Sequence, residues 1–359
     1  MKYSLLVAAS LSLATAHLGA CRSHSLVLAP RRLAQAATQD STAEKMLAFQ
    51  RSVGGWPKAV NEVKVDYKRP MSATALQDAR RDASREDATI DNNATTREIT
   101  YLLGAFKTTQ NPAYRLGAEK GIRYLLKMQQ PSGGFPQYYP LSNLYRAQIT
   151  YNDNAMVHAL QVLKAVADKK GDFALVDPAL VAPAQRAVNL GVQCILKTQY
   201  VQHGKPTVWC AQHDRRTLLP CPARAFELAS LSGDESVGIT EFLMSLDQPS
   251  PEVRRAVQAA VAWFEASKIP NMAVADITDA AQPSGRDRVL VASPGSTLWA
   301  RFYDLDTNQP IYVGRDGVKH ARLADIENER RVGYVYAATW PEKLLTREYP
   351  KWQQKWPSP

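Results

Sequence analysis

The sequence predicts a mainly α-helical fold: an α/α toroid-like domain of helical hairpins with a small C-terminal β element. Three observations lead to this prediction. Apolar residues recur at spacings of three and four along most of the chain, the period of a helix with one buried face. A glycine-containing turn recurs after successive helical segments. Beyond residue 285 the helical pattern gives way to short strand-like runs.

The helical spacing covers seven segments, and local signals mark where two of them begin. Ser250 precedes Pro251 and Glu252, so we expect Ser250 to cap a helix whose first turn holds a proline and an acid. Asn111 before Pro112 is a similar start. The predicted helices are 42–53, 93–109, 113–129, 154–168, 179–198, 234–247 and 250–267.

The recurring turn is a weak internal repeat. Residues 50–58 read QRSVGGWPK, residues 130–137 read QPSGGFPQ, and residues 199–206 (QYVQHGKP) are a degenerate third copy. Glycine adopts the positive φ that commonly ends a helix. Helix pairs closed by such turns predict hairpins stacked round an axis. An irregular helical bundle is the alternative.

The C-terminal part predicts a small β element. Residues 288–291 (RVLV) and 309–313 (QPIYV) read as short strands because β-branched and aromatic residues dominate them.

The N-terminus predicts export. Lys2 precedes a largely apolar run, and small residues then lead to Cys21, so residues 1–21 read as a secretory signal. Residues 18–21 (LGAC) also resemble a bacterial lipoprotein cleavage box, in which Cys21 would carry a lipid anchor; simple cleavage is the alternative. We expect residues 22–41 to be a linker and 42–359 one domain. The protein would be periplasmic, secreted or an outer-membrane lipoprotein, and a monomer.

The net charge of the chain indicates which classes of binding partner to expect. The 359-residue chain has a formal net charge of +10, which favours an anionic partner such as an acidic polysaccharide or anionic lipid surface. Basic residues occur in scattered pairs and no nucleic-acid-binding module is legible, so nucleic acid is not expected. Beyond the signal, we expect Cys194 to be buried, while Cys210 and Cys221 could form a disulfide.

Two acid and amide clusters each precede a predicted helix. Residues 90–96 read IDNNATT, and residues 151–156 read YNDNAM. A helix cap needs one such side chain, yet each cluster supplies three. Oxygen ligands of this kind suit Ca²⁺, so Asp91 and Asp153 are candidate metal ligands. Helix capping is the alternative.

Three arginines are candidates for binding an anion. Arg224 and Arg301 lie in apolar surroundings, where an arginine usually needs an anionic partner. Arg315 lies in a turn, where Asp316 could simply pair with it. His213 and Asp214 invite comparison with a catalytic triad. No serine nucleophile motif accompanies them, so loop stabilisation is the preferred interpretation.

Taken in order, these motifs resemble the pectate lyases of polysaccharide lyase family 10. The matching runs span roughly residues 45 to 345, nearly the whole expected mature chain. They are 91–96 (DNNATT), 133–140 (GGFPQYYP), 151–154 (YNDN), 209–214 (WCAQHD), 223–227 (ARAFE), 230–233 (SLSG) with 235–236 (ES), 299–303 (WARFY) and 314–317 (GRDG).

The resemblance implies a lyase that cleaves polygalacturonate by β-elimination with Ca²⁺. Asp91 and Asp153 would lie at or near the metal, and Asn92 in the same groove. Arg224 would be the base that removes the C5 proton. Arg301 and Arg315 would hold uronate carboxylates. Tyr151 could contact a sugar ring, with core packing as its alternative.

Two other functions stay open on the residues alone. An α/α-toroid glycoside hydrolase needs two carboxylates as acid and base, and Asp91 and Asp153 could supply them. A lipoprotein that only binds acidic oligosaccharide would need Arg301 and Arg315 but not Arg224.

Overall fold

Helices dominate the computed structural model, which describes residues 39–140 and 143–357. Each of the seven predicted helices is present, with ends that differ from the prediction by up to four residues. Within the described ranges the helices are α1 Ser41–Phe49, α2 Ala73–Arg81, α3 Thr96–Thr109, α4 Pro112–Met128, α5 Ala155–Ala167, α6 Val181–Thr198, α7 Glu235–Met244, α8 Pro251–Ala266, α9 Asn328–Gly333 and α10 Tyr349–Lys355.

Both predicted helix starts are confirmed. The Ser250 hydroxyl accepts a hydrogen bond from the Val253 amide, and the Asn111 side chain accepts one from the Ala113 amide. These bonds satisfy amides that have no partner within their own helix.

Three helical hairpins, α3–α4, α5–α6 and α7–α8, stack side by side. Helix α3 contacts α5, which contacts α7, while α4 contacts α6, which contacts α8. One layer is therefore formed by the first helix of each hairpin and the other layer by the second. Apolar side chains between the layers form the main core, including Ile99, Leu125, Leu160, Ile195 and Phe242.

A glutamine in or directly before each copy of the repeated turn bonds to a helix of the second layer. The Gln50 side-chain amide donates to the carbonyls of Gly54 in its own turn and Gly117 in α4. Gln129 donates likewise to Gly133 and to Ala187 in α6. Gln199 donates to Thr207 and to Ala256 in α8, so the degenerate third copy is a true structural repeat.

Short antiparallel strand pairs connect the loops that precede the first-layer helices. One pair places Ile149 opposite His213, and another places Ser232 opposite Phe302. Within the described ranges the short strands are β1 Ala59–Val60, β2 Val63–Lys64, β3 Ile149–Thr150, β4 Val201–Gln202, β5 Lys205–Pro206, β6 Gln212–His213, β7 Leu231–Ser232, β10 Phe302–Tyr303, β11 Tyr312–Val313, β12 Lys319–His320 and β13 Ala337–Ala338.

The predicted β element is present and larger than expected. Two long strands, β8 Ile269–Thr278 and β9 Arg286–Ala300, form an antiparallel hairpin, and β13 extends the sheet in the order β13–β9–β8. Strand β9 contains the predicted segment 288–291, whereas β8 and helix α2 were not predicted. The last residue of β9 leads directly into Arg301, so this sheet positions a candidate site residue.

The N-terminal predictions fall on residues 1–38 and so lie outside the described ranges. The secretory signal, lipidation of Cys21 and nearly all of the linker therefore stay predictions, as does the monomeric state. Within the described residues no helix is both long and apolar enough to cross a membrane. Cys194 is buried as predicted, and Cys194, Cys210 and Cys221 are free thiols.

Candidate active site

The first acid and amide cluster forms a single 3-10 turn just before α3. Asn92 and Asn93 have positive φ angles of 51° and 62°, and no cluster side chain caps the following helix. Asp91 is buried, and its Oδ2 accepts a hydrogen bond from the Lys58 ammonium. Its Oδ1 is buried with no hydrogen-bond partner in the described structure. Capping therefore does not explain this cluster.

The second cluster repeats this conformation before α5. Asp153 and Asn154 have φ angles of 53° and 57°, and again no side chain caps the helix. The Asn152 side-chain amide donates to Asp153 Oδ2 over 3.0 Å. On the other side, Asp153 Oδ1 lies 4.0 Å from Arg301 Nη2. Both clusters thus present oxygens at the start of a first-layer helix.

The third hairpin adds two acids that the sequence analysis assigned no role. Glu235, the first residue of α7, is 1% exposed and accepts a 2.5 Å hydrogen bond from Arg301 Nη2. Asp234 Oδ2 lies 3.0 Å from Arg301 Nη1. The backbone supports this contact, because Gly233 donates to the Arg301 carbonyl over 3.0 Å. The repeat itself could have indicated these acids, since they occupy the same place before α7.

The carboxylates at this centre repel one another. Burial raises the pKa of Asp153, and the neighbouring Asp91 and Glu235 carboxylates raise it further, although Arg301 and Arg224 oppose this. Burial also raises the pKa of Asp234, with Glu235 adding to the effect. Burial lowers the pKa of Arg301. The neighbouring Glu235 and Asp234 carboxylates outweigh this effect and hold the pKa of Arg301 well above its ordinary value. An added cation would be stabilised among these acids.

Arg224 lies at the edge of this centre with its side chain 45% exposed. Its guanidinium forms a forked pair with Glu227, whose Oε2 lies 2.7 Å from Nε. The Glu227 hydrogen bond raises the pKa of Arg224, while partial burial opposes that shift. Tyr334 holds Glu227 in place by donating to Oε1 over 3.0 Å.

Two more arginines lie against the ring of Phe226. The guanidinium carbon of Arg315 is 5.6 Å from the ring centroid, that of Arg330 is 4.5 Å away, and that of Arg224 is 4.6 Å away. Arg315 pairs with Glu329 at 3.2 Å, and Asp316 instead contacts His320.

Arg330 was missed by the sequence analysis because it appears there as half of an ordinary basic pair. Its neighbour Arg331 forms a buried ion pair with Asp287. Only the fold distinguishes the site arginine from the structural one.

Tyr151 does not contribute its side chain to this surface. It is fully buried, and its hydroxyl lies 2.8 Å from Thr198 Oγ1. The sequence expectation that Tyr151 binds substrate is therefore not supported, and the core-packing alternative describes it. Its place directly before the polar residues 152–154, of which Asp153 is exposed, suggests a surface position that the fold does not give it.

His213 and Asp214 stabilise a loop, as preferred from the sequence. His213 is fully buried, accepts from the Cys210 amide at Nε2 and donates from Nδ1 to the Leu218 carbonyl. Burial lowers the pKa of His213 to about 4, so the ring is neutral. Asp214 accepts from the amides of Arg216 and Thr217 in the same loop.

The pectic acid lyase family model matches residues 50–345 of this chain. The chain belongs to the pectic acid lyase family. Two solved structures of a family 10 polysaccharide lyase from Cellvibrio cellulosa agree with this assignment. One, a mutant in complex with trigalacturonic acid, is 34% identical over 88% of this chain and 92% of its own, with a TM-score of 0.76. The other is 35% identical over 88% and 91%, with a TM-score of 0.75. No curated protein matches the chain in sequence.

These findings confirm two predictions made from the sequence. This pectic acid lyase family member is a polysaccharide lyase, and its fold is mainly α and toroid-like with a C-terminal β element.

The site of this family member brings together most of the residues singled out in the sequence. Asp91 and Arg301 are buried at the centre, and Asp153 and Asn92 are exposed beside them. Arg224 and Arg315 lie on the aromatic edge around Phe226.

Proposed function

We propose that this enzyme is a pectate lyase that cleaves polygalacturonate by calcium-assisted β-elimination, with Arg224 as the base. The observation that carries the proposal is the mixed-charge centre, where Arg301 contacts Asp153, Asp234 and Glu235 next to Asp91. The trigalacturonic acid bound to a similar family 10 lyase supports an acidic polygalacturonate as the substrate.

The reaction removes a proton from C5 of a galacturonate, which is weakly acidic because C5 lies next to the carboxylate. The C5–H electrons form the C4–C5 double bond, the C4–O4 bond breaks, and O4 leaves with its electron pair and takes a proton. The products are a new chain end and a 4,5-unsaturated uronate. Negative charge develops on the substrate carboxylate, so cations placed beside it stabilise the transition state.

Asp91 and Asp153 are the residues proposed to hold Ca²⁺. The fit rests on the unpartnered buried Oδ1 of Asp91 and on the desolvation and neighbouring carboxylates that together raise the pKa of Asp153. A bound Ca²⁺ supplies positive charge that neutralises the uronate carboxylate. The described residues contain no group of three or more His, Cys, Asp or Glu side chains arranged for a metal. Two carboxylates alone would hold Ca²⁺ weakly, so we expect tight calcium binding only when the substrate is present.

Arg224 is proposed as the base because it is the half-exposed arginine beside the buried centre. A guanidinium is an unfavourable base, since its pKa exceeds about 12 in proteins. The pair with Glu227 raises that pKa further, so turnover requires alkaline conditions. The same pair fixes the direction of the side chain, which limits the entropy lost when the substrate is engaged.

Arg301, Arg315 and Asn92 are proposed to bind the substrate. Arg301 retains a buried Nε without a hydrogen-bond partner in the described structure. Arg315 is 59% exposed and can leave Glu329 for a uronate at little cost. Arginine suits this role because its planar fork matches a carboxylate.

A product assay tests the proposal directly. The enzyme is incubated with polygalacturonate at alkaline pH, with added calcium or with a chelator, and both ultraviolet absorbance and reducing ends are followed. The proposal predicts absorbance and reducing ends together, and loss of both with the chelator. Reducing ends without absorbance would indicate a hydrolase, and binding without either would indicate a carbohydrate-binding protein.

A further inference from the structure

A recess of ≈ 190 Å³ opens beside the proposed calcium ligand Asp91. Its lining includes Lys58, Lys64, Asn92 and Arg97. Lys58 also pairs with Asp91, and Asn92 follows Asp91 in the chain. The recess is therefore continuous with the proposed site.

The recess leads into a wider groove of ≈ 620 Å³ along α3 and α5. The two cavities share Lys64, Asn92 and Arg97 in their walls. Farther along, the groove is lined by Tyr101, His158 and Phe173 among others. A volume of this size, with aromatic walls and a few polar groups, is typical of ligand pockets, which span roughly 300–1,000 Å³.

The two cationic side chains in the shared wall, Lys64 and Arg97, are accessible to a ligand. Lys64 is exposed on β2, and its side chain makes no hydrogen bond or ion pair within the described residues. Arg97 donates from Nε and Nη2 to one Glu98 oxygen, and its side chain is 37% exposed, so the guanidinium remains accessible. The Arg97 guanidinium also lies 5.3 Å from the Tyr67 ring centroid, so its position is held. Glu62, at the exposed β1–β2 turn, is the acid in the recess wall.

None of the arginines described at the candidate active site lines the recess or the groove. Arg301 approaches Asp153, and Arg224 and Arg315 lie against Phe226. Lys64 and Arg97 instead adjoin Asn92. A polymer with one carboxylate on every sugar needs cations on each side of the cleaved bond if several sugars are to be bound.

We propose that Lys64 and Arg97 form an outer subsite, which binds the carboxylate of a galacturonate remote from the cleaved bond. The proposal rests on the proposed function and adds that this lyase prefers long chains. The groove along α3 and α5 receives the sugars that extend past this subsite.

The test compares Lys64→Ala and Lys64→Glu with the wild-type enzyme on tri- and hexagalacturonate. A trimer that spans the cleaved bond gains little from an outer subsite, whereas a hexamer reaches it. We expect the KM for hexagalacturonate to rise about threefold for Lys64→Ala, and more for Lys64→Glu, with kcat unchanged. The values for trigalacturonate should stay within about twofold of wild type. Lys127→Ala, an exposed lysine of α4, is the matched control and should change neither.

Arg97→Gln is a second variant, expected to act in the same direction. This variant leaves the buried Glu98 without its ion-pair partner, so its folding is checked by thermal unfolding. If it does not fold, the two Lys64 variants alone test the proposal. Equal effects on both chain lengths, or none on either, would overturn the subsite.

A binding measurement separates this proposal from the proposed function. Calorimetry with hexagalacturonate in the presence of a chelator requires no turnover. Weaker binding by Lys64→Glu than by the Lys127→Ala control supports the subsite even if no unsaturated product is ever formed. If the wild-type enzyme forms unsaturated product and Lys64→Glu binds and cleaves hexagalacturonate as well as wild type, the proposed function stands and the outer subsite is overturned.

Discussion

Arg301 and Glu235 form an ion pair that is almost completely withdrawn from water. Arg301 Nη2 donates to Glu235 Oε1 over 2.5 Å, and the two residues are 8% and 1% exposed. They are 66 positions apart in the chain, and the β7–β10 pairing brings them together. The pair joins the third hairpin to the C-terminal sheet at the centre of the site.

Loss of Arg301 should therefore destabilise the fold as well as the site. Arg301→Gln leaves Glu235 and Asp234 without their cation, and removing one partner of a buried pair costs about 3–5 kcal/mol. Arg315→Gln is the control, because Arg315 and Glu329 are both about 60% exposed and such a pair contributes about 0–1 kcal/mol. Urea unfolding of the two variants measures the difference. Equal free energies of unfolding would contradict the structural role of Arg301.

The repeated turn should tolerate no side chain at Gly133. Its φ is +88°, and an added Cβ would lie 2.1 Å from the Leu190 carbonyl oxygen of α6. We expect Gly133→Ala to lower the free energy of unfolding by about 2 kcal/mol or more, from backbone strain and the clash together. Gly171→Ala is the matched control, since Gly171 has φ +57° with nothing within 4 Å of an added Cβ. Strain alone should cost it about 1 kcal/mol. A loss at Gly133 no larger than at Gly171 would contradict the close approach to α6.

If Arg224 is the base, Glu227→Gln should move the pH–rate profile to lower pH. The Glu227 hydrogen bond is the largest influence raising the pKa of Arg224, so its weakening lowers that pKa. A base acts when deprotonated, and below its pKa the rate climbs about tenfold per pH unit. The variant should therefore reach a given fraction of its own maximal rate at lower pH than wild type does.

Glu329→Gln is the control for this profile. Glu329 pairs with Arg315 and Arg330 but not with Arg224, so its loss should leave the profile in place. A profile that is unmoved by Glu227→Gln would argue that Arg224 binds substrate and another group takes the proton.

Helices that bury many apolar residues were predictable from the sequence, and helix α2, which buries few, was not. Helix α8 buries seven apolar residues, and a serine cap marks its start. Helix α2 buries only Ala79 among its nine residues and has a single large apolar residue, Leu76, so its short apolar face is inconspicuous in the sequence. Strand β8 lacks the alternation of a half-buried strand because much of it is partly exposed on both faces.

The site was predictable where chemistry lies within one short motif. Asp91 and Asp153 each stand in a run of polar residues that exceeds the needs of a helix cap. Arg330 and Asp234 acquire their surroundings only through distant contacts, with Phe226 and with Arg301. Tyr151 is the opposite case, a residue that was predicted to bind substrate but is buried. Whether a residue beside a polar cluster faces the core depends on how the chain turns, which the sequence does not show.

The most direct test of the central claim is the dependence of unsaturated-product formation on calcium and on Asp91. Initial rates are measured on polygalacturonate at alkaline pH after chelation, and calcium is then added back to wild type and to Asp91→Asn. We predict no rate in the chelator, full recovery for wild type, and a recovery at least 100-fold smaller for the variant, because one proposed ligand has lost its charge. Full activity of the chelated wild-type enzyme would contradict a calcium-assisted elimination.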